Sequence, residues 1–428
     1  MNPALFMFLL FLVGILIHLP IAFSLGISTI STVLIFDLFP TSLIAMTYYT
    51  SSASFTLLAI PFFILAGDIM LTGGISDKLI GFGKALMGHK TGALSSVTVF
   101  CCAIFAALSG SGPATTAAIG GIMIPAMIKD GYDDGYSAVI AATAGALGPI
   151  IPPSILFVIY GVSCSVSVSS LFIGGFVPGI MMAVLLAIWG TRVSKKHGFG
   201  TIMPKTSRKE KLTAFKDAIW ALLAPVIILG GIYGGICTPT EAAVIACVYS
   251  LFVGFCVYKQ LNFKKLLDVF TRSAVTSGSC LILMGGAALF GKILASEQVS
   301  LAITSFLTSL TDSRFVFLLI LNLFLILVGM FMESITAILI LGPLLAAAAV
   351  PYGINPVHLG IIMVTNLSMG LCTPPVGVNL FVAGGRGGVG LERMFKWIVP
   401  ACLCMFVVIL IFSYWEAAAM FLPNLLGK

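Results

Sequence analysis

Charge is what this sequence has least of. Asp, Glu, Lys and Arg make up 9% of its 428 residues, where a soluble domain carries about 25%. So little charge cannot cover a water-facing surface, and an ordinary soluble fold is excluded. Apolar residues reach 59% and the mean hydropathy is +1.15, which gives an all-α polytopic membrane protein with room for roughly ten spans of about 20 residues. Histidine is scarce too: His18, His89, His197 and His358 are the whole set. The ten cysteines are scattered, with only Cys101-Cys102 adjacent and no Cys-x-x-Cys, so neither a disulfide framework nor a zinc site is implied. No Gly-x-x-x-x-Gly-Lys-[Ser/Thr] occurs, so nothing suggests that a nucleotide is hydrolysed here. Met1-Asn2-Pro3 lacks a basic region ahead of an apolar stretch that runs past position 30. It reads as a retained membrane segment rather than a cleaved signal peptide.

What the chain does have is an internal repeat. Residues 5–190 and 222–414 read as two copies of one unit, each with a Gly-x-x-x-Pro-Pro break inside an apolar segment. The breaks are Gly148-Pro149-Ile150-Ile151-Pro152-Pro153 and Gly370-Leu371-Cys372-Thr373-Pro374-Pro375, 222 positions apart. Pro20 matches Pro239, Gly67 matches Gly291, and Pro125 roughly matches Pro343. Paired breaks in two halves point to the binding site of a secondary transporter. Proline has no N–H, so Pro152 and Pro153 leave the Gly148 and Pro149 carbonyls without their helical donors, and Pro374 and Pro375 do the same for Gly370 and Leu371. Freed carbonyls at membrane depth survive only beside a cavity, a water file or a cation.

The net charge of +7 carries the topology. Eight basic residues crowd the stretch from Arg192 to Lys216, and such stretches stay cytoplasmic. A nucleic-acid patch is the other reading, but no aromatic platform accompanies it. The expected organisation is a first repeat at 1–190, a basic cytoplasmic linker at 191–221 and a second, inverted repeat at 222–428. Each repeat has five spans, a re-entrant hairpin (about 92–127 and 315–350) and a broken helix (about 136–162 and 357–385). The first hairpin starts beside His89-Lys90 and turns near Ser109-Gly110-Ser111-Gly112-Pro113; the second turns near Glu333. Nineteen of the 22 Lys and Arg then face the cytoplasm, leaving Lys292, Arg314 and Lys428, with both termini periplasmic. Residues 4–36 and 222–258 are too long for one upright span each, and are expected as two short spans or a bent element. Lys259–Arg272 is expected as an interfacial amphipathic helix carrying Phe263, Leu266, Leu267 and Phe270 on one face.

The hairpin tip carries the most chemistry. Ser111 or Gly112 can cap the next half-helix, with Pro113 opening it and Thr115 and Thr116 in its first turn. Helix-start N–H groups suit a carboxylate, while hydroxyls and carbonyls suit a hard, weakly held cation such as Na⁺. A Gly/Ser helix-packing seam is the structural alternative, but a seam needs neither Pro113 nor a double proline downstream. A hydrolase reading of Ser111 fails for want of a base. Intramembrane carboxylates are costly and functional by default, and three qualify. Glu241 in Thr238-Pro239-Thr240-Glu241 fits a capping box. Asp68 corresponds across the repeat to Lys292, which suggests a charge pair or an interfacial position. Glu333 has no Lys or Arg within 18 positions, and a bound cation explains it most economically.

Gly110-Ser111-Gly112-Pro113-Ala114-Thr115-Thr116-Ala117, Thr238-Pro239-Thr240-Glu241-Ala242-Ala243 and Thr373-Pro374-Pro375 resemble the large membrane subunit of TRAP transporters, the tripartite ATP-independent periplasmic family, over essentially the whole chain. The resemblance implies Na⁺-driven uptake of an organic acid (sialic acid or C4-dicarboxylate class) across the bacterial inner membrane. It also implies a soluble periplasmic binding protein, a small four-helix membrane subunit, an elevator motion, two or more Na⁺ ions and no enzymatic activity. By position, the first Na⁺ site would use Ser109, Ser111, Pro113, Gly148, Ile151 and Pro153, and the second Met330, Glu333, Gly370, Thr373 and Pro375. Candidate substrate contacts are Ser111, Thr115, Thr116, Ser154, Ser334, Thr336 and Asn379. No single residue selects the substrate. The rival reading is a divalent-anion/Na⁺ symporter that works without a binding protein.

Overall fold

The computed structural model describes residues 2–88, 92–201 and 206–427. His89-Lys90, Lys205 and Lys428, all used in the topology reading, lie outside the described residues. Every regular element among the described residues is helical.

The chain opens with α1 (Pro3–Leu16) and α2 (Ile21–Phe36). Phe6 meets Phe36 edge-on at 5.5 Å while Gly14 abuts Ser24, so the two run antiparallel; of the two expectations for residues 4–36, the pair of short helices is the one formed. α3 (Thr41–Ser52) follows, and a 3₁₀ turn at Phe55–Leu58 feeds α4 (Ala59–Thr72). After α5 (Ile75–Met87), α6 (Ala93–Ser109) ends at Gly110, whose φ of +61° suits a residue without Cβ. The return limb comprises α7 (Gly112–Thr115), a π-helical turn at Thr116–Gly120 and α8 (Gly121–Lys129). α9 (Asp134–Gly145) and α10 (Ile155–Ser163) flank the first double proline. α11 (Val168–His197) runs into the basic stretch, which resumes as α12 (Arg208–Tyr233) under a Ser207–Glu210 capping box. The expected linker 191–221 is therefore mostly helix, because both flanking helices extend into it.

In the second half, α13 (Pro239–Phe252) starts at the expected Thr238–Glu241 box: Glu241 N–H donates to Thr238 Oγ1 at 3.3 Å and Thr238 N–H to Glu241 Oε2 at 2.7 Å. The separate amphipathic helix expected at 259–272 is not formed. Residues 263–272 instead open α14 (Phe263–Ser296), 34 residues long and without proline, so nothing breaks it after Arg272. α15 (Val299–Leu310) leads to the second hairpin, α16 (Arg314–Phe331) and α17 (Ser334–Ala349). α18 (Pro356–Gly370) and α19 (Val378–Gly387) flank the second double proline, and α20 (Leu391–Tyr414), α21 (Glu416–Ala419) and α22 (Phe421–Leu425) complete the chain.

Eight helices among the described residues are long and apolar enough to cross a membrane, and five more are apolar but shorter. The broken helices sit at the centre. Every residue of α9 from Gly135 to Gly145 and of α18 from His358 to Gly370 is buried. Their small and apolar side chains run all round the helix, which is the pattern of an element with no wet face. α14 lies along α2, α3, α4 and α17.

Candidate functional site

The first hairpin tip rests directly on the first double-proline break. A Cβ on Gly148 would lie 2.4 Å from the Ser111 carbonyl oxygen and 2.8 Å from the Gly112 nitrogen, and a Cβ on Gly110 2.7 Å from the Pro153 carbonyl oxygen. Only glycine permits that approach. Ile155 N–H donates to the Gly110 carbonyl at 3.4 Å and pins the contact. Ser111 is the N-cap of α7, accepting from Ala114 N–H at 3.5 Å, with Pro113 in the first turn. Ser109 is buried, and its hydroxyl shares a 2.8 Å hydrogen bond with Thr115 Oγ1. The carbonyls of Gly148, Ile151 and Pro153 accept no hydrogen bond among the described residues. Pro149, also freed by the prolines, is taken by the Ser154 hydroxyl.

The second hairpin makes the same kind of junction. A Cβ on Gly370 would lie 2.6 Å from the Cα, C and O of Gly329, and Val376 N–H donates to the Met330 carbonyl at 3.3 Å. Here the freed carbonyls have backbone partners. Thr373 N–H donates to Gly370 at 3.0 Å and Asn379 N–H to Leu371 at 2.9 Å, each leaving one lone pair. Thr373 Oγ1 donates to Met369 at 2.9 Å, and no donor meets the Pro375 carbonyl among the described residues. Glu333 is the N-cap of α17, accepting from Thr336 N–H at 3.0 Å and Thr336 Oγ1 at 3.3 Å.

The two junctions adjoin. A Cβ on Gly112 would lie 3.3 Å from both side-chain amide atoms of Asn379 and 2.8 Å from Leu371 Cδ1. Asn379 Nδ2 and Cys372 Sγ both donate to the Ala142 carbonyl of α9, at 3.1 Å each. The candidate substrate contacts divide accordingly. Thr115 and Thr116 donate back to Ser111 and Gly112 at 2.8 and 3.0 Å, and Ser154, the N-cap of α10, donates to the Pro149 carbonyl, so these hydroxyl protons are used within the fold. Ser334 Oγ and Asn379 Oδ1 are different. Both are buried without a hydrogen-bond partner, two of five such side-chain atoms among the described residues. An unpaired buried polar atom costs about 1–3 kcal/mol, which a ligand would offset. No cluster of three His, Cys, Asp or Glu side chains exists among the described residues. The unpaired carbonyls and the serine hydroxyls are hard oxygen donors, the kind that Na⁺ takes.

Two expectations need correction or completion. Asp68 and Lys292 form no charge pair: Ser273 Oγ donates to Asp68 at 2.7 Å, and Lys292 donates to Thr47 Oγ1 at 2.9 Å. Ser273 and Lys292 both lie on α14, 19 residues apart, or about 28 Å at 1.5 Å per residue, so α14 carries the lysine out of reach. The sequence reading also missed a buried amide pair. Asn366 Nδ2 donates to Asn322 Oδ1 at 2.7 Å, Ser413 Oγ donates to the same oxygen at 3.0 Å, and this ties α18, α16 and α20 together. Two asparagines inside apolar helices were its only signal.

Comparison with known proteins agrees with this architecture. Residues 8–418 match the family model described as tripartite ATP-independent periplasmic transporter, DctM component. The isethionate TRAP transporter permease protein DctMQ of Oleidesulfovibrio alaskensis is 43% identical over 98% of the chain, which spans 66% of that protein's length. The C4-dicarboxylate TRAP transporter large permease protein DctM of Pseudomonas aeruginosa is 42% identical over 94% of both chains. The sialic acid TRAP transporter large permease protein SiaM of Vibrio cholerae is 34% identical over 87% of both. The YdaH transporter of Alcanivorax borkumensis has a similar fold, with a TM-score of 0.60, 16% identity and 87% of each chain covered. These relatives are permeases, not enzymes. Family model, relatives and fold together establish that the chain belongs to the TRAP transporter family as its DctM-type large permease component.

Proposed function

We propose that the chain carries out Na⁺-coupled uptake of an organic acid anion across the bacterial inner membrane. The anion is handed over by a periplasmic binding protein, and a small four-helix membrane subunit is bound alongside. The observation that carries this reading is the pair of tip-to-break junctions, with carbonyls at Gly148, Ile151 and Pro153 that accept no hydrogen bond. Oxygen donors without protons, held by glycine-tight backbone contacts, suit the coordination shell of a cation. Ser109, Ser111 and Pro113 would complete the first site. The second would draw on Met330, Glu333, Gly370, Thr373 and Pro375, with Glu333 supplying charge. The unpaired Ser334 and Asn379 atoms beside both junctions support a substrate position between them.

Each half of the chain presents a hairpin and a broken helix in the same order, which supports an inverted repeat. In that reading the buried core of hairpins and broken helices moves as an elevator against α2, α3, α4 and α12–α14, the basic stretch around α12 is cytoplasmic, and both termini are periplasmic. Isethionate, C4-dicarboxylates and sialic acid, named for the relatives, share an anionic group, and that group is the substrate feature assigned here. No observation favours a symporter that works without a binding protein. The test is reconstitution of the permease with its small subunit into proteoliposomes, offering labelled isethionate, succinate and N-acetylneuraminate with and without the binding protein. Uptake that needs both an inward Na⁺ gradient and the binding protein supports the proposal; equal uptake without either overturns it.

A further inference from the structure

Three basic residues fall off the cytoplasmic side in the topology read from the sequence: Lys292, Arg314 and Lys428. Arg314 pairs with Glu416, and Lys428 lies outside the described residues. Lys292 alone has no acid. Among the described residues it enters no ion pair, and its ammonium makes one side-chain hydrogen bond, to Thr47 Oγ1 at 2.9 Å. It is exposed, and it lines a cavity of about 420 Å³ together with Ser51, Ser54 and Ser163. Ser51 and Ser163 donate to the Thr47 and Tyr160 carbonyls at 2.6 and 3.2 Å, while the Ser54 hydroxyl makes no hydrogen bond among the described residues. A cation beside a free hydroxyl and no carboxylate is the complement of an anion.

The walls of this cavity have two origins. Lys292, Ser51 and Ser54 belong to α14, α3 and the turn after α3, whereas Ser163 ends α10 and Pro343 stands in α17. α10 and α17 are the helices that start at the first break and at the second hairpin tip. They lie side by side, Gly342 standing against Cys164 and Ser163. From Ser334 to Gly342 is eight residues, about 12 Å of helix rise. The cavity therefore sits about 12 Å beyond the tips, at the seam between the part proposed to move and the part proposed to stay. It shares Ser54 and Val162 with a second, hydroxyl-lined cavity of about 530 Å³.

We infer that Lys292, with the Ser54 hydroxyl, is an anion-capture site that takes the carboxylate or sulfonate of the incoming acid before it reaches the hairpin tips. The inference rests on the proposed uptake of an organic anion. The lysine supplies charge, the Ser54 hydroxyl donates to an acid oxygen, and the seam lets the captured acid move down when the core shifts.

The test uses the purified permease with its small subunit. Direct binding of labelled succinate and isethionate is measured without an ion gradient, and uptake is measured in vesicles of zwitterionic lipid and of lipid with an anionic fraction. The expected result is that Lys292→Gln weakens binding of both probes and raises the half-saturating concentration for uptake at least tenfold. Lys292→Arg should stay within threefold of the unmodified protein, and half-activation by Na⁺ should be unchanged in both variants. Unchanged binding in Lys292→Gln overturns the inference. So does an equal loss in Lys292→Arg, release of the small subunit, or an effect confined to anionic vesicles, where a lipid phosphate is the partner. The binding readout separates the two readings: loss of Na⁺-driven uptake in the unmodified protein fails the proposed function, whereas normal uptake with an indifferent Lys292→Gln fails only the capture site.

Discussion

Gly148→Ala probes the first junction with one methyl group. Its Cβ would stand 2.4 Å from the Ser111 carbonyl oxygen, 2.5 Å from the carbonyl carbon and 2.8 Å from the Gly112 nitrogen, all backbone. Ordinary contact begins near 3.4 Å, so the tip must retreat by about 1 Å. Ligand distances in an ion site hold to about 0.2 Å, so this retreat removes tip oxygens from the shell. Losing one such ligand costs about 1–3 kcal/mol, or about 5- to 150-fold in affinity. Gly278→Ala is the control, because nothing lies within 4 Å of its Cβ; relief of a mid-helix glycine should stabilise it by about 0.5–1 kcal/mol. The assay is the Na⁺ dependence of uptake in proteoliposomes, paired with the Na⁺-induced rise in Tm of the detergent-purified complex, which reports binding directly. We expect the half-activating Na⁺ concentration to rise at least fivefold for Gly148→Ala and to stay constant for Gly278→Ala. A Gly148→Ala protein with the unmodified Na⁺ response would refute the placement of a cation at this junction.

Gly370→Ala should behave likewise at the second junction, since its Cβ would meet Gly329 backbone at 2.6 Å; a Na⁺ titration of uptake checks it. Ser111→Ala should weaken Na⁺ activation about tenfold through loss of one ligand oxygen, and a wild-type titration would remove Ser111 from the site. Glu333→Gln should weaken Na⁺ coupling while Glu333→Asp keeps part of it. Both disturb the α17 cap at Thr336, which costs about 1 kcal/mol, so only the charge separates their Na⁺ titrations. Thr238→Ala should lower stability by about 1 kcal/mol through the α13 cap without moving Na⁺ half-activation, as read by thermal melts with and without Na⁺.

What could be read from the sequence was whatever backbone chemistry dictates. Pro113 and the two double prolines have no N–H to donate, and Gly110, Gly148 and Gly370 mark where backbones touch, so tips and breaks were visible before any coordinates. Thr238, Pro239 and Glu241 likewise form a cap whose geometry is local. Features that depend on how helices lie against one another were hidden. Asp68 meets Ser273 rather than Lys292 because of the position of α4 along α14, which no repeat offset encodes. The hydrophobic face at Phe263–Phe270 marked a helix but not its end, and α14 simply continues. The Thr115, Thr116 and Ser154 hydroxyls looked free for substrate, yet each has a local carbonyl acceptor. Among the candidate substrate contacts the buried unpaired atoms are those of Ser334 and Asn379, and only packing decides which polar atoms stay unpaired.

The central claim, that two carbonyl-rich junctions couple Na⁺ to uptake, is tested most directly by exchanging the cation. Proteoliposomes holding the permease and its small subunit are given the substrate-loaded binding protein under an inward Na⁺ gradient, and then with K⁺ replacing Na⁺ on both sides at equal membrane potential. Accumulation above the outside concentration with Na⁺ and its loss with K⁺ is the expected result. Equal accumulation in K⁺ would contradict the account.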